Sequence, residues 1–418
     1  MQIKALKGMK DVLPEKVELW QYIENIMRYY AKLYGYNEIR TPVVERTELF
    51  SRGVGDSTDI VQKEMYTFKD KGGRSITLKP EGTAGVVRAF LEGNLYADTL
   101  PCKLYYINNP IFRYEAPQSG RLREHHQFGV ECFGSKSPSL DAEIISLGFH
   151  LLETFELKNV RVQINSIGCE KCRPNYIKTL KEFLNTKKEF LCPDCLNRIE
   201  KNPLRVLDCK IDSCQNAIIE APSTLNMLCE ECYDHFENLK SYLIKTNIPF
   251  DINQKIVRGL DYYTKTVFEF VQSTDNGFLT VCGGGRYDNL ISELGGSYTP
   301  AVGFGMGMER LIMLMPQEAK TNTNGPDIFV CNLSKENFEY SFAIIQKLRE
   351  NGIVAELDHN GRSVKGQFKY ANKLNAKNVL IVGGDELSRN MFKLKNMETG
   401  KEEEISIDGF EITIKNKL

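Results

Sequence analysis

The stretch from Lys103 to Phe133 constrains this chain more than any other. Two β-favourable runs, Lys103 to Arg113 and His126 to Phe133, flank a middle rich in Gly, Pro, Ser and Arg. The pattern predicts a long antiparallel hairpin with a mobile tip. Residues two apart on a strand share a face, so Arg113 and Glu115 point together, as do Gln127, Gly129 and Glu131. A guanidinium fork beside a carboxylate suits a phosphate accompanied by a base or amine, because one pairs with phosphate oxygens and the other accepts N–H donors. Arg121 and Arg123, at the tip, are expected to move onto or off a ligand. A hairpin with solvated charges is the ordinary explanation, but several other stretches ask for the same ligand.

At 418 residues the chain is too long for one simple core and predicts two or three domains. Its 42% hydrophobic and 26% charged residues are those of a soluble globular protein. The formal net charge is −1, so any positive surface for a nucleic acid must be local. The start, MQIKALKGMKDVLPEK, has no apolar signal region, and no apolar run is long enough for a membrane. The cytosol is the expected compartment. Of twelve cysteines, eight lie between Cys169 and Cys232, which in a cytosolic chain favours metal or redox use over disulfides.

Taken in order, Val17 to Leu33 has helical periodicity. Thr41 to Val44 predicts a short strand and Glu45 to Phe50 a helix start, with apolar residues that serve a dimer seam or plain core packing equally well. Around Leu78 to Arg88 a strand enters a Pro/Gly turn and a helix begins near Thr83. Glu81 and Thr83 at that corner would receive an ammonium group or simply cap the helix. The pairs Cys169/Cys172, Cys192/Cys195, Cys209/Cys214 and Cys229/Cys232 would supply two four-thiolate zinc sites, the alternative being reduced thiols packed in a helical insertion. Which pairs join is not readable.

Val257 to Phe270 places Arg258, Asp261, Tyr262 and Tyr263 at a glycine-containing bend before a strand, and Thr280 to Leu290 carries three consecutive glycines before Arg286 and Tyr287. Further on, Gly303, Gly305 and Gly307 share one strand face, a floor on which an aromatic base would lie with Arg310 beside its phosphates; tight strand–helix packing explains them equally. Residues 316–325 read as a linker. Beyond it short apolar runs alternate with helices, predicting a small α/β domain whose Lys365, Lys369 and Lys373 form a basic stripe.

Together these stretches resemble class II aminoacyl-tRNA synthetases, specifically the bacterial histidyl-tRNA synthetase family, from Gly8-Met9-Lys10-Asp11 nearly to the end. Thr41 to Phe68 is similar to motif 1, which builds the family's dimer interface. Asn109 to Glu131 is similar to motif 2 and Ala301 to Leu314 to motif 3. Arg258-Gly259-Leu260-Asp261-Tyr262-Tyr263 resembles the histidine-specific motif, the most specific of the matches, and the segment after the linker resembles the anticodon-binding domain.

The resemblance implies an α+β catalytic domain on an antiparallel sheet with a helical cysteine-rich insertion, followed by a small α/β domain. The expected division is a first catalytic part (1–165), insertion (166–245), second catalytic part (246–315), linker (316–325) and anticodon-binding domain (326–418). Glu81, Gly82, Thr83, Arg113, Gln127, Glu131, Arg258, Tyr262, Tyr263 and Tyr287 would surround histidine. Arg113, Glu115, Arg121, Phe128 and Arg310 would hold ATP, with Arg258 and Arg113 catalytic, Arg258 standing at the α-phosphate in place of one metal ion. ATP with Mg²⁺, structural zinc, tRNA(His), L-histidine and a homodimer are the implied cofactors and partners. Lys79, Ala116 and His125 depart from residues common in the family. Two rivals stand beside this reading: a non-catalytic regulatory paralogue of ATP phosphoribosyltransferase, and a zinc-containing RNA-binding protein.

Overall fold

The computed structural model describes all residues except 1–2, 56–57, 118–119, 158, 275–276 and 317–324. The chain divides into two compact units, Met1–Lys320 and Thr321–Leu418. Most of the linker expected over 316–325 lies outside the described residues.

The first unit is built on an eight-stranded sheet. In spatial order its strands are Asn37–Glu38, Cys102–Phe112, Glu124–Phe133, Ala301–Gly307, Gly277–Arg286, Thr264–Thr274, Val160–Ser166 and Phe250–Ile252. The six central strands pair antiparallel and only the two edge strands join in parallel. The expected hairpin is therefore the pair Cys102–Phe112 and Glu124–Phe133, with a register shift between Tyr106 and Asn109. Helices Pro14–Leu33, with Pro14 at its first position, and Pro138–Thr154, capped by the Ser137 hydroxyl, cover one face. Trp20, Ile23, Met27, Ile144, Leu147, Leu151, Phe128 and Phe304 form the core between them and the sheet.

A smaller antiparallel sheet, Val44–Arg46, Ser75–Leu78 and Tyr66–Lys69, leads into the helix Thr83–Glu92. Between Val160–Ser166 and Phe250–Ile252 the chain makes a helical insertion with its own core of Tyr176, Leu180, Leu184, Ile199, Val206 and Ile218. The last helix of the expected insertion, Glu230–Lys245, instead buries Phe236, Leu239 and Leu243 in the core of the main sheet. A buried Asp141–Arg286 ion pair (2.8 Å), joined by His235 from that helix, fixes it there.

The second unit is a five-stranded sheet, ordered Ala355–Leu357, Ile328–Asn332, Asn378–Val382, Met391–Asn396 and Glu402–Ser406, with helices Phe338–Glu350, Val364–Lys373 and Phe410–Lys415. Lys365, Lys369 and Lys373 are exposed along the second helix. No helix among the described residues is long and apolar enough to cross a membrane.

Candidate active site

The glycine-rich strands and the hairpin meet in the middle of the large sheet. Their register pairs Gly303 with Glu131, Gly305 with Gly129 and with Gly283, and Gly307 with Gln127. Where glycines leave out side chains, an open cavity forms beside a buried polar cluster. The cavity is lined by charge, and the cluster, a closed pocket of side chains, is made of phenols and carboxyls.

The open cavity has a volume of about 460 Å³. Arg113, Glu115, Arg121, Gln127, Arg258 and Arg310 all line it, with Gly305 and Gly307 in its floor. Arg113 Nε donates to the Pro80 carbonyl at 2.9 Å and its guanidinium stands 3.9 Å from Glu115. Arg310 Nε and Nη1 donate to the carbonyls of Gly120 (2.8 Å) and Thr280 (2.9 Å). Burial pulls Arg310 below its ordinary pKa, and nearby Arg121 adds to the effect. Like charges pressed together in this way favour an anion between them. Arg121 reaches Glu115 at 3.8 Å. Arg123 is not free as expected: its Nε donates to the Glu115 carbonyl at 3.1 Å, and its guanidinium lies 4.4 Å from the centre of the Tyr114 ring.

Arg258 crosses the strand Gly277–Arg286 at Gly283, where any Cβ would fall about 2.5 Å from the guanidinium. It pairs with Glu269, which also accepts from the Thr280 hydroxyl at 2.9 Å. Glu269 was not among the expected residues, although it is the lone acid in the apolar strand sequence TVFEF.

The closed pocket holds Glu81, Thr83, Glu131, Tyr262, Tyr263 and Tyr287, all buried. Glu81 accepts from the backbone N–H groups of Thr83 (2.7 Å) and Ala84 (2.8 Å), fixing it at the helix start. The Thr83 hydroxyl donates to Glu131 at 2.7 Å, and the Tyr287 hydroxyl donates to its other oxygen. A Cβ at Gly303 would overlap that oxygen, so glycine is what leaves room for the carboxyl. Burial pushes Glu131 up to about 8, against the pull of the Tyr287 and Thr83 hydrogen bonds, and raises Glu81 too. The Tyr262 ring stands 4.7 Å from Tyr263 and 5.5 Å from Tyr287. Gly82 lies against the ring of Tyr106, a buried phenol of the same pocket that sequence reasoning missed because the register shift just beyond it breaks the strand's alternation.

One expected ligand residue is misplaced. Phe128 is wholly buried on the opposite face of its strand, packed between Tyr105 and Phe304 (ring centroids 6.2 and 5.9 Å). The alternation that turns Gln127, Gly129 and Glu131 to the site turns Phe128 to the core. His125 takes the place by the same parity and lines the open cavity. Burial, with Arg113 next, drives it down to about 3, so it presents a neutral ring whose Nδ1 has no partner among the described residues.

The eight cysteines gather as two sets, Cys169, Cys172, Cys229 and Cys232, and Cys192, Cys195, Cys209 and Cys214, with the sulfurs of each set within 4.8 Å of one another. None is in a disulfide. Sγ separations of 3.8 Å (Cys169–Cys172), 3.7 Å (Cys169–Cys229), 3.9 Å (Cys172–Cys232) and 4.0 Å (Cys192–Cys209) are close to the edge, about 3.8 Å, of a tetrahedron with 2.3 Å zinc–sulfur bonds. Cys172, Cys192 and Cys229 each stand at the N-cap position of a helix. Cys169 falls to about 7: partial burial opposes the change, but the N–H groups of Lys171 and Cys172 outweigh it.

Comparison with known proteins places this geometry. The histidyl-tRNA synthetase family model matches residues 8–311, and an anticodon binding domain model matches 327–417. The chain is 55% identical over 418 residues to a histidine–tRNA ligase of Caldanaerobacter subterraneus subsp. tengcongensis, covering all of both chains. A histidine–tRNA ligase of Clostridium perfringens is 50% identical over 415 residues, 99% of each chain. The crystal structure of apo S. aureus histidyl-tRNA synthetase superposes with a TM-score of 0.84 at 38% identity, covering 99% of this chain and 100% of that one. This chain belongs to the histidyl-tRNA synthetase family.

Proposed function

We propose that the chain is a histidine–tRNA ligase that activates L-histidine with ATP and transfers it to the 3′ end of tRNA(His). The observation that carries the reading is the convergence of Arg113, Arg258 and Arg310 on one open cavity beside a closed acid-and-phenol pocket. In the first step a carboxylate oxygen of histidine bonds to the α-phosphorus of ATP and the bond to pyrophosphate breaks. That reaction needs charge neutralisation and alignment more than proton transfer. Arg258 would stand at the α-phosphate and Arg113 would bridge the carboxylate and phosphate, making both catalytic. Arg121 and Arg310 would clamp the outer phosphates, while bound Mg²⁺ would supply further neutralisation.

Glu115 would accept from the adenine amine and His125 would offer its uncharged ring face to the base. In the closed pocket, Glu81, Glu131 and Gln127 would read the ammonium and imidazole, with Thr83, Gly82 and the phenols of Tyr262, Tyr263 and Tyr287 shaping the walls. Apolar amino acids would leave these buried polar groups unpaired, which disfavours them strongly.

The anticodon-binding unit disfavours the regulatory paralogue, and a full set of site arginines disfavours an RNA-binding protein without catalysis. Both cysteine sets fit structural Zn²⁺ in spacing and donor type. A homodimer is supported by the similarity of Thr41 to Phe68 to the family's interface motif, and a cytoplasmic location by the translation role. The test is aminoacylation: the purified protein should charge tRNA(His) with labelled histidine in the presence of ATP and Mg²⁺, and failure to charge it would overturn the reading.

A further inference from the structure

The insertion reaches into the open cavity. Its segment Pro203–Lys210 contributes Arg205, Asp208 and Lys210 to the wall that carries Arg258 and Gly259. Arg205 is the inner member, its side chain 16% exposed. One of its terminal nitrogens lies 3.6 Å from where a Cβ on Gly259 would stand, which sets the guanidinium beside Arg258's own loop. Its only ion-pair partner among the described residues is Asp59, at 3.3 Å, and Arg198 shares the same carboxylate oxygen at 3.2 Å. Two guanidinium groups thus share one half-exposed carboxylate, and Arg205 Nε is buried with no acceptor among the described residues. A guanidinium that shares its one carboxylate and lines the same cavity as Arg113, Arg258 and Arg310 is suited to an anionic oxygen.

The same segment is tied down by the second cysteine set. Cys209 follows Arg205 by four residues, its N–H donating to the Val206 carbonyl at 3.2 Å, and it meets Cys192, Cys195 and Cys214. Nearby, Asn202 donates to Asp261 at 2.7 Å, anchoring the insertion to the loop that bears Tyr262 and Tyr263. Four sulfurs at metal-binding spacing therefore set where Arg205 stands.

We infer that Arg205 is a ligand of the ATP phosphates supplied by the insertion, and that a metal at Cys192, Cys195, Cys209 and Cys214 holds it over the nucleotide. The inference rests on the synthetase reading, and histidine-dependent exchange of labelled pyrophosphate into ATP separates the two. A parent protein without exchange overturns the synthetase reading itself. With an active parent, Arg205→Ala should raise the KM for ATP about tenfold, the loss expected for one charge-assisted contact. The KM for histidine should change less than twofold, and melting temperature and zinc content should stay as in the parent. Cys209→Ser should lose one equivalent of zinc and raise the KM for ATP similarly, and adding Arg205→Ala to it should bring little more. A folded Arg205→Ala protein with an unchanged KM for ATP overturns the contact, including the case in which only transfer to tRNA is slowed. Multiplicative effects of the two substitutions overturn the metal's part. Should Cys209→Ser not fold, parent protein stripped by a chelator and checked for retained helicity replaces it, with the same expected rise.

Discussion

The Tyr287 hydroxyl donates to Glu131 across 156 residues of chain, closing a pocket in which the carboxyl meets no solvent. Burial holds this carboxyl near 8 instead of its ordinary 4.5. The folded protein therefore keeps a proton that the unfolded chain releases near 4.5. Its stabilising effect is present below that pH and is lost as pH rises towards 8. Glu131→Gln cannot lose the proton. The melting temperature of the ligand-free variant, relative to the parent, should climb between about pH 5 and pH 8, while histidine binds at least tenfold more weakly. A pH-independent difference contradicts the burial argument.

Gly303 and Gly307 stand on one strand but face different surroundings. A methyl at 303 overlaps Glu131, whereas none of the described residues lies within 4 Å of one at 307. Gly303→Ala should lower the melting temperature by several degrees, as overpacking of about 1–3 kcal/mol does. It should also cripple histidine activation. Gly307→Ala should melt like the parent, and equal melting of both variants would show that the pocket yields more easily than its geometry implies.

Phe128 and His125 make a paired test of which side of the hairpin strand meets the nucleotide. Phe128→Leu should cost about 1 kcal/mol of stability with the KM for ATP nearly unchanged. His125→Ala should raise that KM about tenfold, the order of one lost ring–base contact. Steady-state kinetics at saturating histidine, with thermal melts alongside, decides between them, and the reverse pattern would restore Phe128 as the base's neighbour.

Metal analysis of protein purified without added metal should find about two equivalents of zinc, since each cysteine set offers four thiols. Chelation should lower the melting temperature, because metal binding is coupled to folding of the insertion. Fewer than about half an equivalent would leave both sets as packed, reduced thiols.

Much of this was legible in the chain because strand parity is a strong rule. Gln127 and Glu131 share the site-facing side that their spacing implies, and the hairpin follows from two β-favourable runs around a Gly/Pro/Arg middle; Arg113 and Glu115 meet in the cavity for another reason, since the strand ends at Phe112 and the Glu115 N–H turns back to the Arg113 carbonyl. The same parity, applied one residue further, puts Phe128 in the core and His125 in the cavity, whereas the resemblance to motif 2 implies Phe128 at the nucleotide. Tyr106 was hidden by the register shift between it and Asn109, which no local pattern announces. The pairing of cysteines was unreadable for another reason. Cys169 and Cys229 lie 60 residues apart and meet only because the insertion returns to its own base. Arg205 belongs to no motif in the sequence, and only the closed fold brings it to Gly259.

The account depends most on Arg258, which reaches the cavity across Gly283 and is balanced there by Glu269. Exchange of labelled pyrophosphate into ATP, measured with and without histidine, tests it most directly. The parent protein should exchange only when histidine is present, and Arg258→Ala should lose at least about a hundredfold with its circular dichroism unchanged. A folded parent that leaves pyrophosphate unincorporated in the presence of histidine, or an Arg258→Ala protein that exchanges at the parent rate, would contradict it.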